Sequence, residues 1–150
     1  MGSKNSNVVL NLVISNNNYL MIPEGLDAMI GVEKANMLVR LLYRFQVCIL
    51  NKATDGGYFY FLQDEMLSRT GISKKRQAAF IDELENMELI TTKKQRNFYE
   101  PKMFTFTEEN IENIKRTADN GRDIIAKAKK KKVAGNEFID KILSEMNSQK

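Results

Sequence analysis

Three consecutive cations, Lys74, Lys75 and Arg76, follow Ser73 in the stretch GISKKRQAAFIDELENMELI, residues 71–90. Their chemistry is recognition of negative charge: lysine binds phosphate oxygens, and arginine also matches the guanine edge with two parallel hydrogen bonds. Other chemistries lack their residues. The chain has no histidine and one cysteine, Cys48, so no Ser–His or Cys–His nucleophile pair can form. A zinc site would have to rest on carboxylates and Cys48 alone. No Gly-rich phosphate loop of the GxxxxGK[ST] or GxGxxG type occurs. No spaced set of acidic residues suggests a metal-dependent nuclease, and no enzymatic activity is expected. The three cations also pose a problem, because a helix N-terminus carries the positive end of the macrodipole and disfavours them. An external polyanion would compensate that cost.

The elements around the cations follow from periodicity. Ser73 is a good N-cap, and Phe80, Ile81, Leu84 and Met87 make the apolar face of a helix over 73–87. Before it, QDEMLSRT (63–70) suits a short helix with acidic residues in its first turn, and Gly71 suits its C-terminal cap. YFYFL (58–62) reads as a strand. LITTKK (89–94) and KMFTFT (102–107) read as two more, joined by QRNFYEP. Along the last of these, Met103, Thr105 and Thr107 take one side and Phe104 and Phe106 the other. Upstream, VEKANMLVRLLYRFQVCIL (32–50) reads as a long, largely buried helix on Ala35, Leu38, Leu42, Phe45 and Ile49, with Cys48 a core thiol. GLDAMIG suits a short helix. VVLNLVI and YLMIP around SNNN suggest a β-hairpin over 8–22. Thr107 can cap a helix with the spine Ile111, Ile114 and Ala118, interrupted at Asn120–Gly121. Five lysines then fall within 127–132, and Gly135–Asn136 is expected to separate them from a last amphipathic helix over 138–146. That helix is too apolar on one side to stay bare, so it should pack on the body or on a second copy.

The order from residue 58 is strand, short helix, Gly turn, cationic helix, strand, basic hairpin tip, strand. That order predicts an α+β fold, a winged helix-turn-helix with an N-terminal β-hairpin and a C-terminal helical extension. Three regions follow: a disordered or tag-derived stretch at 1–7, the DNA-binding domain at 8–107, and a basic helical extension at 108–150. In such a fold the start of the second helix meets the major groove, which resolves the problem of its cations. Lys74, Lys75, Lys93 and Lys94 are then expected on phosphates, Arg76 on a base, and Ser68 and Arg69 on the backbone from the preceding helix. Arg96 and Lys102 complete the basic wing. Ala79 is small enough for close approach to the groove, and Gln77 either reads adenine or turns inward. The lysines of 127–132 form either an arm along the DNA backbone or a solvated face.

Three stretches carry a family resemblance: KANMLVRLLYRF, GGYFYFLQDEMLSRTGISKKRQAAFIDELENMELI and KKQRNFYEPKMFTF. In order, they resemble the amino-terminal winged-helix domain of RepA_N-type plasmid replication initiators, over about residues 24–107. The resemblance implies double-stranded DNA binding in plasmid or phage replication, partition or transfer. The chain departs from the family in having no glycine in the wing, Met87–Glu88 at the turn before it, and no large carboxy-terminal part. A truncated initiator or a free-standing regulator is therefore expected. A transcriptional repressor, or a protein-interaction module without DNA binding, are the alternatives on the same fold.

Composition bounds the setting. The chain has 150 residues, 23 basic against 19 acidic, for a net charge of +4. Such a mild excess makes the placement of charge decisive. No run of 18 apolar residues occurs, and MGSKNSN at the start lacks a signal peptide's apolar segment. The expectation is a cytoplasmic protein of a bacterial or phage-infected cell, homodimeric on DNA, without membrane contact or small-molecule cofactor.

Overall fold

The computed structural model describes residues 21–95, 97 and 99–148. Nearly all of the hairpin expected over 8–22, the stretch 1–7 and Arg96 lie outside them. In chain order the elements are α1 (Leu26–Ile30), α2 (Val32–Leu50), β1 (Phe59–Tyr60), α3 (Gln63–Thr70), α4 (Lys74–Asn86), β2 (Thr91–Lys93), β3 (Met103–Thr105) and α5 (Glu108–Ser148). The fold is α+β, with helices packed around one small antiparallel sheet.

Helix α2 is the central element. Its expected stripe is buried at Ala35, Leu38, Leu42 and Phe45, and Met37, Val39 and Leu41 are buried as well. A helix apolar on most of its circumference must be surrounded, and here α1, α3, α4 and β1 all touch it. Cys48 departs from expectation. It lies near the end of α2 and is only half-buried against the core.

In the sheet β3 is central, with β1 and β2 at its edges. Phe59 pairs with Phe104, and Thr91, Thr92 and Lys93 face Thr105, Phe104 and Met103. The inward aromatics meet Phe45: its ring lies 5.7 Å from Phe59 and 5.5 Å from Phe106, within the range of favourable aromatic pairs. The alternation expected along β3 fails at Met103, which is buried like its neighbour Phe104. The β2–β3 connection folds back so that Met103 lines a small crevice with Lys93, Lys94, Gln95, Glu100 and Pro101.

Two helix ends fix the approach to the sheet. At the end of α4, Leu89 N–H donates to the Leu84 carbonyl (3.0 Å) and Glu88 N–H to that of Glu85 (2.9 Å). This is the double closure of a Schellman turn, which needs a left-handed residue at the position Glu88 occupies. Glu88 adopts it with φ 59°, in the place where glycine would be unstrained. At the start of α5, Thr107 Oγ1 accepts from Asn110 N–H (3.1 Å) while Asn110 Oδ1 accepts from Thr107 N–H (3.0 Å). This reciprocal cap satisfies two orphan donors at the helix start. Asn110 is buried, and its amide also donates to the Glu88 carbonyl at 2.8 Å, joining the two ends.

Helix α5 corrects the sequence reading. The expected breaks at Asn120–Gly121 and Gly135–Asn136 do not occur, and one helix runs 41 residues. Gly121 is there for packing. A Cβ on it would stand 1.8 Å from the Gly25 carbonyl oxygen, so α1 crosses α5 backbone to backbone. The first turns of α5 bury Ile111, Ile114 and Ala118 in the core. Beyond Arg122, which donates to the Glu24 carbonyl at 3.4 Å, the helix leaves the body. Ile139, Ile142, Leu143 and Met146 are exposed, so this segment does not pack on the body as one expectation had it.

Candidate nucleic-acid interface

The expected two-helix unit forms with the expected boundaries. Gly71 takes φ 74° and donates to the Leu67 carbonyl at 2.8 Å, ending α3. Ser73 Oγ accepts from Arg76 N–H at 3.3 Å, starting α4. Between them Ile72 is buried, its N–H held by Thr70 Oγ1 at 3.1 Å. Gln77, Ile81 and Leu84 form the inner face of α4.

Of the two alternatives for Gln77, the inward one is observed. Gln77 is only 4% exposed, and its amide donates to the carbonyls of Ile72 (2.9 Å) and Gln63 (3.1 Å). A buried amide with both N–H groups committed to the turn has no donor left for a base. It holds the start of α3 and the start of α4 together.

The cations divide by their partners. Lys74 Nζ lies 2.6 Å from Asp64 Oδ1. Arg76 pairs with Glu33 at the start of α2, and its guanidinium lies over the Phe80 ring at 5.3 Å. Lys34, bonded to Glu83 at 2.6 Å, covers the same ring at 5.8 Å. Arg69 and Arg44 share the Glu65 carboxylate. Burial, and then the charge of Arg69, lower the pKa of nearby Arg40. Lys75 has no ion pair among the described residues and lies on the face of α4 opposite Gln77, Ile81 and Leu84. The same face carries Ala79, Asp82 and Asn86 by helical spacing, all exposed. Ser68 is exposed on α3.

The outer face of α4 thus changes sign along its length. Its first two turns are basic and small. Its last two carry Asp82, Glu83 and Glu85. The β2–β3 connection contributes Lys93, which lies 5.6 Å from the centre of the Tyr58 ring, exposed Lys94, and half-buried Lys102. Gln95 closes this connection by donating to the Glu100 carbonyl at 2.5 Å.

Between this connection and α4 runs a cleft of about 480 Å³. Lys74, Ala78 and Asp64 line one wall, and Gln95, Tyr99, Pro101 and Lys102 the other. Met37, Leu41, Met66, Ile81 and Phe104 contribute to its floor. The start of α4 and the basic connection therefore border one opening, which sequence reasoning placed together only through the expected fold. Sequence reasoning missed Asp64 and Glu33 as partners of Lys74 and Arg76. The acidic first turns of α3 and α2 were the available signal.

Among the described residues, no cluster of three or more potential metal-binding side chains occurs. No helix among them is long and apolar enough to cross a membrane. Comparison with protein-family models, curated proteins and solved structures finds no match for this chain.

Proposed function

We propose that this protein binds double-stranded DNA as a winged helix-turn-helix, with the start of α4 in the major groove and the β2–β3 connection as the wing. The observation that carries the reading is the shared border: the basic half of α4 and a lysine-bearing connection flank one cleft, while the acidic half of α4 lies farther along. A helix that enters a groove by its first turns needs that polarity. Lys75 and Ala79 make the approaching surface. Lys94 and Lys102 hold the flanking backbone together with Lys93. Arg76 and Lys74 change partners on binding. Their ion pairs are about half exposed, and such pairs contribute only about 0–1 kcal/mol, so a phosphate or guanine can replace the carboxylate. The resemblance to RepA_N-type initiators adds plasmid or phage replication, partition or transfer as the process served.

Selection of bound sequences from a random duplex pool tests the reading. A defined sequence should emerge. Lys75→Ala should weaken binding to all selected sequences. Arg76→Ala should cost about 1–3 kcal/mol and relax preference at one position. A pool that never enriches overturns the proposal. One observation favours a second reading, a winged helix that binds protein: Tyr99 is 91% exposed beside the apolar floor of the cleft. In that case binding would depend on Tyr99 and survive loss of Lys75.

A further inference from the structure

The part of α5 beyond the body is a helix with one apolar face that no described residue covers. Ile124, Ile139, Ile142 and Met146 fall on that face by helical spacing, and all four are exposed. Ala128, Lys131 and Gly135 fall on the same face by that spacing. Single exposed apolar residues need no explanation, but an apolar face that recurs at both ends of a projecting helix, interrupted by Lys131, does.

Charge selects the occupant. Lysines fill 127–132 apart from Ala128, whereas Glu137 and Asp140 lie beyond the midpoint of the projection. A parallel copy would set lysines against lysines. An antiparallel copy, related by a two-fold axis at Gly135, sets each half against its complement. In that register Ile124 meets the partner position 146, and Ala128 meets position 142. Both are apolar pairs on the seam. Lys127, on one flank of the stripe, lies within two residues of the level of the partner's Glu145, which is on the same flank. Flanking charges of this kind set orientation and partner choice in paired helices. Gly135 at the axis lets the backbones approach. Arg122, where α5 leaves the body, is 13 residues from Gly135, or about 20 Å at 1.5 Å per residue, so the two bodies stay clear of each other.

We infer that the chain forms a homodimer through antiparallel pairing of α5 over about residues 124–146, centred on Gly135. The pairing stands independently of DNA binding.

Sedimentation equilibrium of the full chain tests it, with circular dichroism as the check that each variant keeps its helix. The expected mass is twice the 17.3 kDa of one chain. Ile142→Lys should give monomer. Glu145→Lys should weaken dimerisation at least tenfold, and adding Lys127→Glu to it should restore the affinity, because the swap rebuilds the pair in antiparallel register only. In a Cys48→Ser background, Ile124→Cys chains mixed with Met146→Cys chains should cross-link, and Ile124→Cys chains alone should not. A wild-type monomer at hundreds of micromolar, an Ile142→Lys chain that remains a dimer, or a charge swap that fails to restore affinity overturns the inference. Cross-linking of Ile124→Cys to itself would show a parallel pair and overturn it equally.

Discussion

The Gln77 amide spends both its N–H groups on carbonyls of the α3–α4 unit, and this sets what its replacement should do. Gln77→Leu keeps the volume but leaves the Ile72 and Gln63 carbonyls without that donor in a buried place. Urea denaturation should show a loss of about 1–3 kcal/mol, the usual penalty for stranded buried polar groups. Under the proposed DNA-binding reading, the sequence preference of the folded fraction should be unchanged. A variant of wild-type stability with altered preference would return Gln77 to the groove. The same local logic separates Lys75 from its neighbours. Lys74 and Arg76 lie beside carboxylates of α3 and α2, whereas Lys75 projects from the middle of the outer face.

At the scale of elements, the crossing of α1 and α5 is the least forgiving contact in the fold. Gly121→Ala in an isolated helix would help, since alanine is favoured over glycine by about 1 kcal/mol. Here the added methyl group meets the backbone of Gly25, which has no side chain that could turn aside. Overpacking of this kind costs about 1–3 kcal/mol, so the expected net effect is a lower Tm. A raised Tm would mean that α1 is free to move off α5. Element boundaries were mostly legible. Helices α2 and α3 match the expected 32–50 and 63–70, because apolar spacing, Gly71 and Ser73 are local signals. The run of α5 through Gly121 and Gly135 was not legible. Glycine reads as a breaker when only its own neighbours are considered, and the reason for Gly121 lies on α1, nearly a hundred residues away in sequence.

For the whole molecule the net charge of +4 says little, and its distribution says more. Carboxylates of α2 and α3 neutralise Lys74, Arg76 and Arg69 in the free protein, leaving Lys75, Lys93 and Lys94 exposed, with half-buried Lys102 beside them. DNA affinity, if the proposal holds, should fall with salt at a log–log slope of about −0.9 per phosphate neutralised. Replacing Lys75 and Lys94 by alanine should lower the magnitude of the slope by about 0.9 for each. A slope unaffected by both changes would place the phosphate contacts elsewhere, with the lysines of 127–132 the next set to replace.

The sequence by itself determined the α+β class, the two-helix unit with its caps, the long central helix and the gathering of cations at the start of α4. These depend on periodicity, capping chemistry and turn residues, which act within a few positions along the chain. Tertiary structure alone decided the ion pairs that hold Arg76 to Glu33 and Lys74 to Asp64. It also decided the burial of Gln77 and Met103, the half-burial of Cys48, and the unbroken α5. Each of these depends on which distant backbone or side chain arrives alongside, and spacing within one element carries no record of that.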